Sequence, residues 1–409
     1  MHARASQVGA LYPRWLIFVG LVTALGPIST DMYLPGFPAI STELGVSQSL
    51  VQYTVTAFLA GVAIGQLLYG PLSDRIGRKL PLCVGIVVYA VASVGCALAE
   101  NISVLIAWRF AQGLGGCAGI VIGRAMVRDR FGSVGSAKAF SLMMLVVAVG
   151  PMIAPVIGGW LTGFGWRAIF AVLALFGAFL AASVVKSIDE TLAVDRRTRG
   201  GVTQVVAQYR AMFKSTQLLS YTVVAGLMQS ALFAYVVSAP FVLIDVYGIP
   251  PQYFGFVFFA NTAGLIAASQ INAAIVGRFG PDRILGIALL WPVGLSITLI
   301  AALLLEFSSM YLVLSVLFGL LVGHGFISPN AAALGLSKHG EQAGTASAVM
   351  GVTQFGLGIV TIFITSLFEA TSALPLALVI GACSCLALAC HRFVARPALK
   401  RSEAVVTRP

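Results

Sequence analysis

Apolar runs about twenty residues long recur along this chain at nearly even spacing, separated by short polar breaks. A run of that length spans the hydrocarbon core of a bilayer as an α-helix, which satisfies its own backbone polar groups there. The pattern predicts spans at roughly 15–37, 48–70, 80–99, 103–125, 137–162, 166–186, 217–240, 252–277, 283–305, 309–336, 342–368 and 373–392. One long polar stretch, 187–216, divides these twelve spans six and six. The expected architecture is all-α and integral to the membrane, with two six-helix bundles. Residues 1–186 form the first bundle, 187–216 a cytoplasmic linker, 217–393 the second bundle and 394–409 a cytoplasmic tail.

Composition agrees and excludes much. Of 409 residues, 59% are hydrophobic and 10% charged, against about 25% charged in soluble domains. A soluble enzyme, a nucleic-acid binder and a disordered chain do not fit. The net charge of +11 reads as orientation across a membrane. With the N-terminus in the cytoplasm, all 25 Lys and Arg except Arg109 and Arg167 fall at inner positions, while Glu43, Glu100, Asp245, Glu306 and Glu369 fall outside. This asymmetry places both termini in the cytoplasm. The first apolar run follows Arg4 and Arg14 without an A-x-A-like cleavage site, so it reads as a retained span. Cys83, Cys96, Cys117, Cys383, Cys385 and Cys390 lie in apolar runs without ligand partners, so neither a metal site nor a disulfide framework is expected.

Three ionisable groups fall well inside the membrane: Asp31 in span 1, Arg109 in span 4 and His324 in span 10. Each charge at mid-bilayer costs about 2.5–3.5 kcal/mol on insertion scales, so such groups usually mark a pathway or a pair. Opposed span directions bring Asp31 and Arg109 to similar depth, where an ion pair is possible but its contact cannot be read from sequence. His324 has three readings: a proton site, a hydrogen bond to substrate, or a neutral packed ring.

Four stretches carry motifs. Gly70-Pro71-Leu72-Ser73-Asp74-Arg75-Ile76-Gly77-Arg78-Lys79 follows span 2, with a partial echo at Gly277-Arg278-Phe279-Gly280-Pro281-Asp282-Arg283. Its glycines suit a tight reversal, Asp74 can face a helix N-terminus, and the basic residues can anchor at headgroups. Span 4 carries Arg109-Phe110-Ala111-Gln112-Gly113, with Gln112 one turn from Arg109 and Gly115, Gly119 and Gly123 on a packing face. Span 5 carries Gly150-Pro151, Pro155 and Gly158-Gly159, a kink with small residues that suits either a rocking interface between halves or a merely bent helix. Span 1 ends Ser29-Thr30-Asp31-Met32-Tyr33-Leu34-Pro35, and spans 10 and 11 add Ser328-Pro329-Asn330-Ala331 and Ala343-Gly344-Thr345-Ala346-Ser347-Ala348.

These stretches resemble the major facilitator superfamily. The first matches its G-x-L-x-D-R-x-G-R-K gate latch (Gly70, Asp74, Arg75, Gly77, Arg78), the second its R-x-x-Q-G motif, and the third, with Ala154 for a glycine, its exporter motif G-P-x-x-G-G. The span 1 and span 10–11 stretches resemble the Bcr/CflA branch of drug:proton antiporters across essentially the whole chain. The resemblance implies two six-helix bundles around a central cavity, alternating access, protons as coupling ion and no other cofactor. It implies proton coupling through Asp31, Arg109 and His324, and substrate contacts from Tyr33, Gln52, Tyr53, Phe58, Gln112, Gln229, Phe233, Asn261 and Gln354. Expected partners are small drugs of the bicyclomycin, phenicol or sulfonamide type, protons and membrane lipid, but no nucleic acid, with the protein a monomer in a bacterial inner membrane. Rival readings are export of an endogenous metabolite such as an amino acid or sugar, uptake by symport, and a membrane enzyme or receptor. The last is disfavoured, because no carboxylate pair, histidine cluster, nucleophile elbow or phosphate loop appears at usable spacing.

Overall fold

All twelve apolar runs are helical in the computed structural model. It describes residues 2–197, 210, 212–307, 309–338, 343–368 and 372–400, with side chains except those of 2–14, 132–138, 140–142, 196 and 343–344. Twelve helical stretches are long and apolar enough to cross a membrane. No strand occurs among the described residues. Of the linker and tail expected from sequence, 198–209, 211 and 401–409 lie outside the described residues. Contacts group the chain into two units, Met1–Val46 with Ala57–Arg199 and Ser47–Thr56 with Gly200–Pro409.

The first unit contains α1 (His2–Asp31), the short α2 (Phe37–Leu44), α3 (Gln48–Ile76) from Ala57 onward, α4 (Lys79–Ala97), α5 (Ile102–Leu161) and α6 (Arg167–Ser187). Span 1 is broken where the pattern predicts continuous helix. Pro35 and Pro38 have no amide hydrogen, so the carbonyls of Asp31 and Leu34 lose their i+4 donors. The helix stops at Asp31, and a 3-10 turn, Leu34–Gly36, leads into α2. α5 holds two spans, Ile102–Phe131 and Met143–Phe164. They meet α1 in opposite directions: Gly119 lies on Val22 and Gly123 reaches Val19, while Gly150 lies on Ile28 and Gly158 on Met32. Lipid tails provide no hydrophobic drive between helices, so close backbone approach through small residues supplies much of the packing. A methyl group at Gly158 would come 2.8 Å from the Met32 carbonyl carbon. The close approach of Gly150 and Gly158 is therefore to α1 of their own unit, beside the break at Asp31.

The second unit is built around α7 (Thr216–Pro240), on which α11 (Met310–Leu336), α12 (Ala343–Ser366) and α13 (Leu374–Cys390) pack. α8 (Pro251–Phe279) packs on α11. Span 9 is divided into α9 (Pro281–Ala288) and α10 (Leu290–Leu304), because Pro292 cannot donate to the Ala288 carbonyl. Ser215 and Ser309 cap α7 and α11, accepting from the amides of Leu218 and Leu312 at 3.3 Å each.

Candidate functional site

Arg109 lies in the middle of the first unit and is fully buried. Its guanidinium carbon stands 4.4 Å from the Phe58 ring centre, 4.6 Å from that of Tyr33 and 5.7 Å from that of Phe170. Nη1 donates to Gln112 Oε1 at 2.5 Å and to the Ser29 carbonyl at 3.4 Å. Gln112 donates in turn to Ser93 Oγ at 2.7 Å, and Ser93 to the Tyr89 carbonyl at 2.8 Å. The Tyr89 hydroxyl closes the group, 2.6 Å from Ser29 Oγ, which itself donates to the Leu25 carbonyl. The i+3 spacing of Arg109 and Gln112 makes their contact local; α1 and the turn after it, α3, α4 and α6 supply the rest. Gly113 permits the fit, since any Cβ there would meet the backbone of Phe58.

The guanidinium has five N–H donors in a rigid fork. Among the described residues, Nε and Nη2 have no hydrogen-bond partner. Burying one charge costs several kcal/mol after relaxation. Aromatic faces recover part of that, each about 2 kcal/mol where water is excluded. What results is a cation held in place with donors to spare, ready to gain from an anion.

The possible pair of Asp31 with Arg109 is not formed in this structure. Asp31 is half-buried and makes no ion pair or hydrogen bond among the described residues. Its neighbours in the same segment do touch Arg109, Ser29 through its carbonyl and Tyr33 through its ring. Shared depth is consistent with those contacts, but the helix ends at Asp31 and the carboxylate makes no ion pair with Arg109. Tyr33, Phe58 and Gln112, named for substrate contact, are buried and form walls of the Arg109 site. Ser29, Tyr89, Ser93 and Phe170 belong to it and were not singled out from sequence.

The remaining candidates lie in the second unit. His324 is buried, its Nδ1 has no partner among the described residues, and it lines a cavity of about 20 Å³ with Tyr235, Met228 and Leu321. A cavity of that size holds about one water. Asn261 donates to the Tyr235 hydroxyl at 2.7 Å, so Tyr235 links two of the predicted residues. Phe233 packs on Phe355 at 5.8 Å, while Gln229 and Gln354 are half-buried where α7 approaches α12 at Gly226. Gln52 is buried with Oε1 unpartnered among the described residues, and Tyr53 stacks on Phe363 at 6.2 Å.

The loop between α3 and α4 is a knot of charge. Arg78 is buried rather than anchored at headgroups: Nε donates to Asp129 Oδ2 at 2.9 Å, and Nη1 reaches Asp74 Oδ1 at 2.5 Å and Ser73 Oγ at 2.7 Å. Burial opposes its charge, but the Asp129 hydrogen bond and the Asp74 and Asp129 charges outweigh it and raise its pKa. Asp74 does not take the N-terminus of α4. Glu190 does, its carboxylate accepting from the amides of Arg78 at 2.8 Å and Lys79 at 3.2 Å. Gly77 allows this: its φ is 104°, and a Cβ would land on the Glu190 carboxylate. Partial burial raises the Glu190 pKa, yet the amides of Arg78, Leu192 and Lys79 and the charge of Arg197 bring it below the ordinary 4.5. A lowered carboxylate stabilises the fold fully above about pH 4.5 and loses that contribution as pH falls through the lowered value. Glu190→Ala is expected to cost about 1–2 kcal/mol, the range of a lost cap. Thermal unfolding in detergent should show the deficit at pH 7 and its decline as pH falls below about 4.5; a deficit unchanged down to acid pH would contradict the role.

Arg167, an exception to the inner placement of basic residues, pairs with Glu43 and donates to the Ala99 carbonyl at 3.0 Å. In the echo loop, Asp282 is held by Arg396 Nε at 3.2 Å and the Tyr221 hydroxyl at 3.4 Å, with His391 Nε2 3.9 Å away.

Twelve spans in two units, with a caged cation inside one of them, define a polytopic membrane transporter. The chain belongs to the Major Facilitator Superfamily, whose family profile matches residues 19–363. It is 36% identical over 365 residues to the MFS-type transporter YdgK of Bacillus subtilis strain 168, covering 88% of this chain and 89% of that one. It is 32% identical over 388 residues to the bicyclomycin resistance protein homolog of Haemophilus influenzae, covering 94% and 97%. The fold is shared with a solved D-xylose–proton symporter at a TM-score of 0.75 and 16% identity, over 94% of this chain and 98% of that one. The likeness to Bcr/CflA-type transporters thus extends along the chain, and the protein is a transporter and not an enzyme.

Proposed function

We propose that this protein is a proton-coupled exporter of small drugs that works by alternating access in a bacterial inner membrane, with both termini cytoplasmic. The observation that carries the reading is the Arg109 site: a fully buried guanidinium with unpartnered Nε and Nη2, beside a half-buried Asp31 on a proline-broken helix. Neutral Asp31 is compatible with the unpaired arrangement. Ionised Asp31 gains by turning toward Arg109, because an opposite charge within about 4–6 Å favours the charged form. The turn Leu34–Gly36 and the Gly158 contact with Met32 lie where that movement would be felt. Two positions of one helix end, biased by a proton, are what couples a gradient to a conformational equilibrium. His324, Tyr235 and Asn261 are proposed as a polar patch for substrate or proton in the second unit, and Gln52, Tyr53, Gln229, Phe233 and Gln354 as substrate contacts. Mixed aromatic and amide side chains suit a pocket that is mostly apolar with a few polar groups. The named resistance of the Haemophilus relative supports drugs as cargo.

The test is the susceptibility of a pump-deficient bacterium expressing the chain to bicyclomycin, phenicols, sulfonamides and lipophilic cations, with and without a protonophore. Resistance to at least one class that disappears with the protonophore is expected. Resistance that survives it removes proton coupling. No resistance from protein confirmed in the membrane moves the cargo to an endogenous metabolite.

A further inference from the structure

We propose that a groove on the second unit, between α8, α9–α10 and α11, binds one anionic phospholipid. An acyl chain lies in the groove, and the headgroup phosphate lies at Arg278 and Arg283. The proposal needs only that the chain crosses a bilayer, and goes beyond the assignment of cargo.

The groove has a volume of about 400 Å³. Its walls are apolar, Ile275, Phe279, Ile287, Trp291 and Phe326 among them, and Arg283 is its one charged lining residue. Sequence explains the space. The break at Leu289 interrupts span 9, and glycines on α11 receive the Trp291 indole, which donates to the Gly319 carbonyl at 2.9 Å. A Cβ at Gly323 would stand 3.1 Å from Trp291 Cδ1, so the ring lies close along α11. Eight residues separate Arg283 from Trp291, about 12 Å along a helix. One leaflet of hydrocarbon is about 15 Å deep. The dimensions suit most of an acyl chain with its headgroup at the arginine end.

Exposure points to lipid as the solvent here. Ile287 is 62% and Trp291 54% exposed, and span 9 is the least covered of the twelve, with 22% of its most apolar stretch buried. Charge points to an anion. Arg278 and Arg283 are exposed, and both guanidinium groups stand over the Phe279 ring, at 5.4 and 6.0 Å. Neither has an ion-pair partner among the described residues. The acid between them, Asp282, is engaged by Arg396, Tyr221 and His391. Two free cations at the end of an apolar slot match a phosphate carrying a hydrocarbon tail. A free phosphate would leave the slot unused, and a neutral amphiphile would leave the arginines unused.

The experiment is native mass spectrometry of the full chain titrated with dioleoyl phosphatidylglycerol, with dioleoyl phosphatidylethanolamine, and with glycerol 3-phosphate as competitor. Wild type is expected to retain phosphatidylglycerol preferentially. Each interfacial arginine is worth about fivefold, so Arg278→Gln with Arg283→Gln should reduce that preference roughly 25-fold, while Arg283→Lys keeps it. Ile287→Trp, which fills the slot at an exposed position, should weaken both lipids alike. Gel filtration of each variant establishes folding. Undiminished phosphatidylglycerol retention by either the double variant or Ile287→Trp overturns the site. Displacement by glycerol 3-phosphate would make it a phosphate site and overturn the lipid. The readout involves no transport, so it stands apart from the fate of the drug-export reading.

Discussion

Asp31→Asn is expected to leave the protein folded and in the membrane while active export falls at least tenfold. The substitution is isosteric, and Asp31 is half-buried with no ion pair or hydrogen bond among the described residues. No structural contact is lost, so stability should stay within about 0.5 kcal/mol. What is lost is the ionisable group beside the spare donors of Arg109. An asparagine fixes the neutral state, in which the proposed turn toward Arg109 has no driving charge. Exchange of substrate down its own gradient needs no proton and should survive. The decisive measurement uses inside-out vesicles: wild type takes up drug under an imposed pH gradient and releases protons when drug is added, whereas Asp31→Asn does neither yet still exchanges labelled for unlabelled drug. Full gradient-driven uptake by the variant would remove Asp31 from the mechanism. Loss of both activities together with early thermal unfolding would make it a structural residue.

The spans were legible because bilayer thickness imposes one length on every helix, and sequence shows that length directly. The contact of Arg109 with Gln112 was legible for a similar reason, since a helix fixes neighbours at i+3. Depth was legible as well, and it was misleading. Charge pattern and span direction place Asp31 and Arg109 at one level, but level says nothing about azimuth, and the structure holds no ion pair between them. The latch shows the other limit. Asp74 and Arg78 are close in sequence and were found, yet the buried partner of Arg78 is Asp129, 51 residues away, and the acid on the α4 amides is Glu190, 112 residues from Arg78. Local spacing contains no information about such closures. A signal was nonetheless present for one of them: Asp129 is a carboxylate in a segment that is otherwise basic, where an unpaired acid is out of place. Arg167, basic where acids were expected, is likewise paired with Glu43.

Arg109→Met is expected to abolish transport while costing little stability, the reverse of what its complete burial suggests. Two effects oppose each other. Replacing a buried charge by an apolar side chain of similar volume is often neutral or stabilising by about 1–4 kcal/mol, and the gain is greatest where donors are unsatisfied, as Nε and Nη2 are here. Against this, Gln112 Oε1 loses its 2.5 Å partner, at about 1–3 kcal/mol for a buried acceptor, and the contacts with Tyr33 and Phe58 lose their electrostatic part. The terms nearly cancel, so the unfolding temperature in detergent should differ little from wild type. A group that costs as much to bury as it returns is retained for something other than stability. Arg109→Lys sharpens the test. It keeps the charge but has no planar fork, and one ammonium on a shorter reach cannot hold Ser29, Gln112 and an arriving carboxylate in the guanidinium geometry. Transport by Arg109→Lys should therefore fall at least tenfold in the same vesicles, despite an unchanged net charge. If Arg109→Met instead unfolds more than about 3 kcal/mol sooner, the cage is a structural staple. If Arg109→Lys transports at the wild-type rate, positive charge alone suffices and the directed donors have no part in coupling.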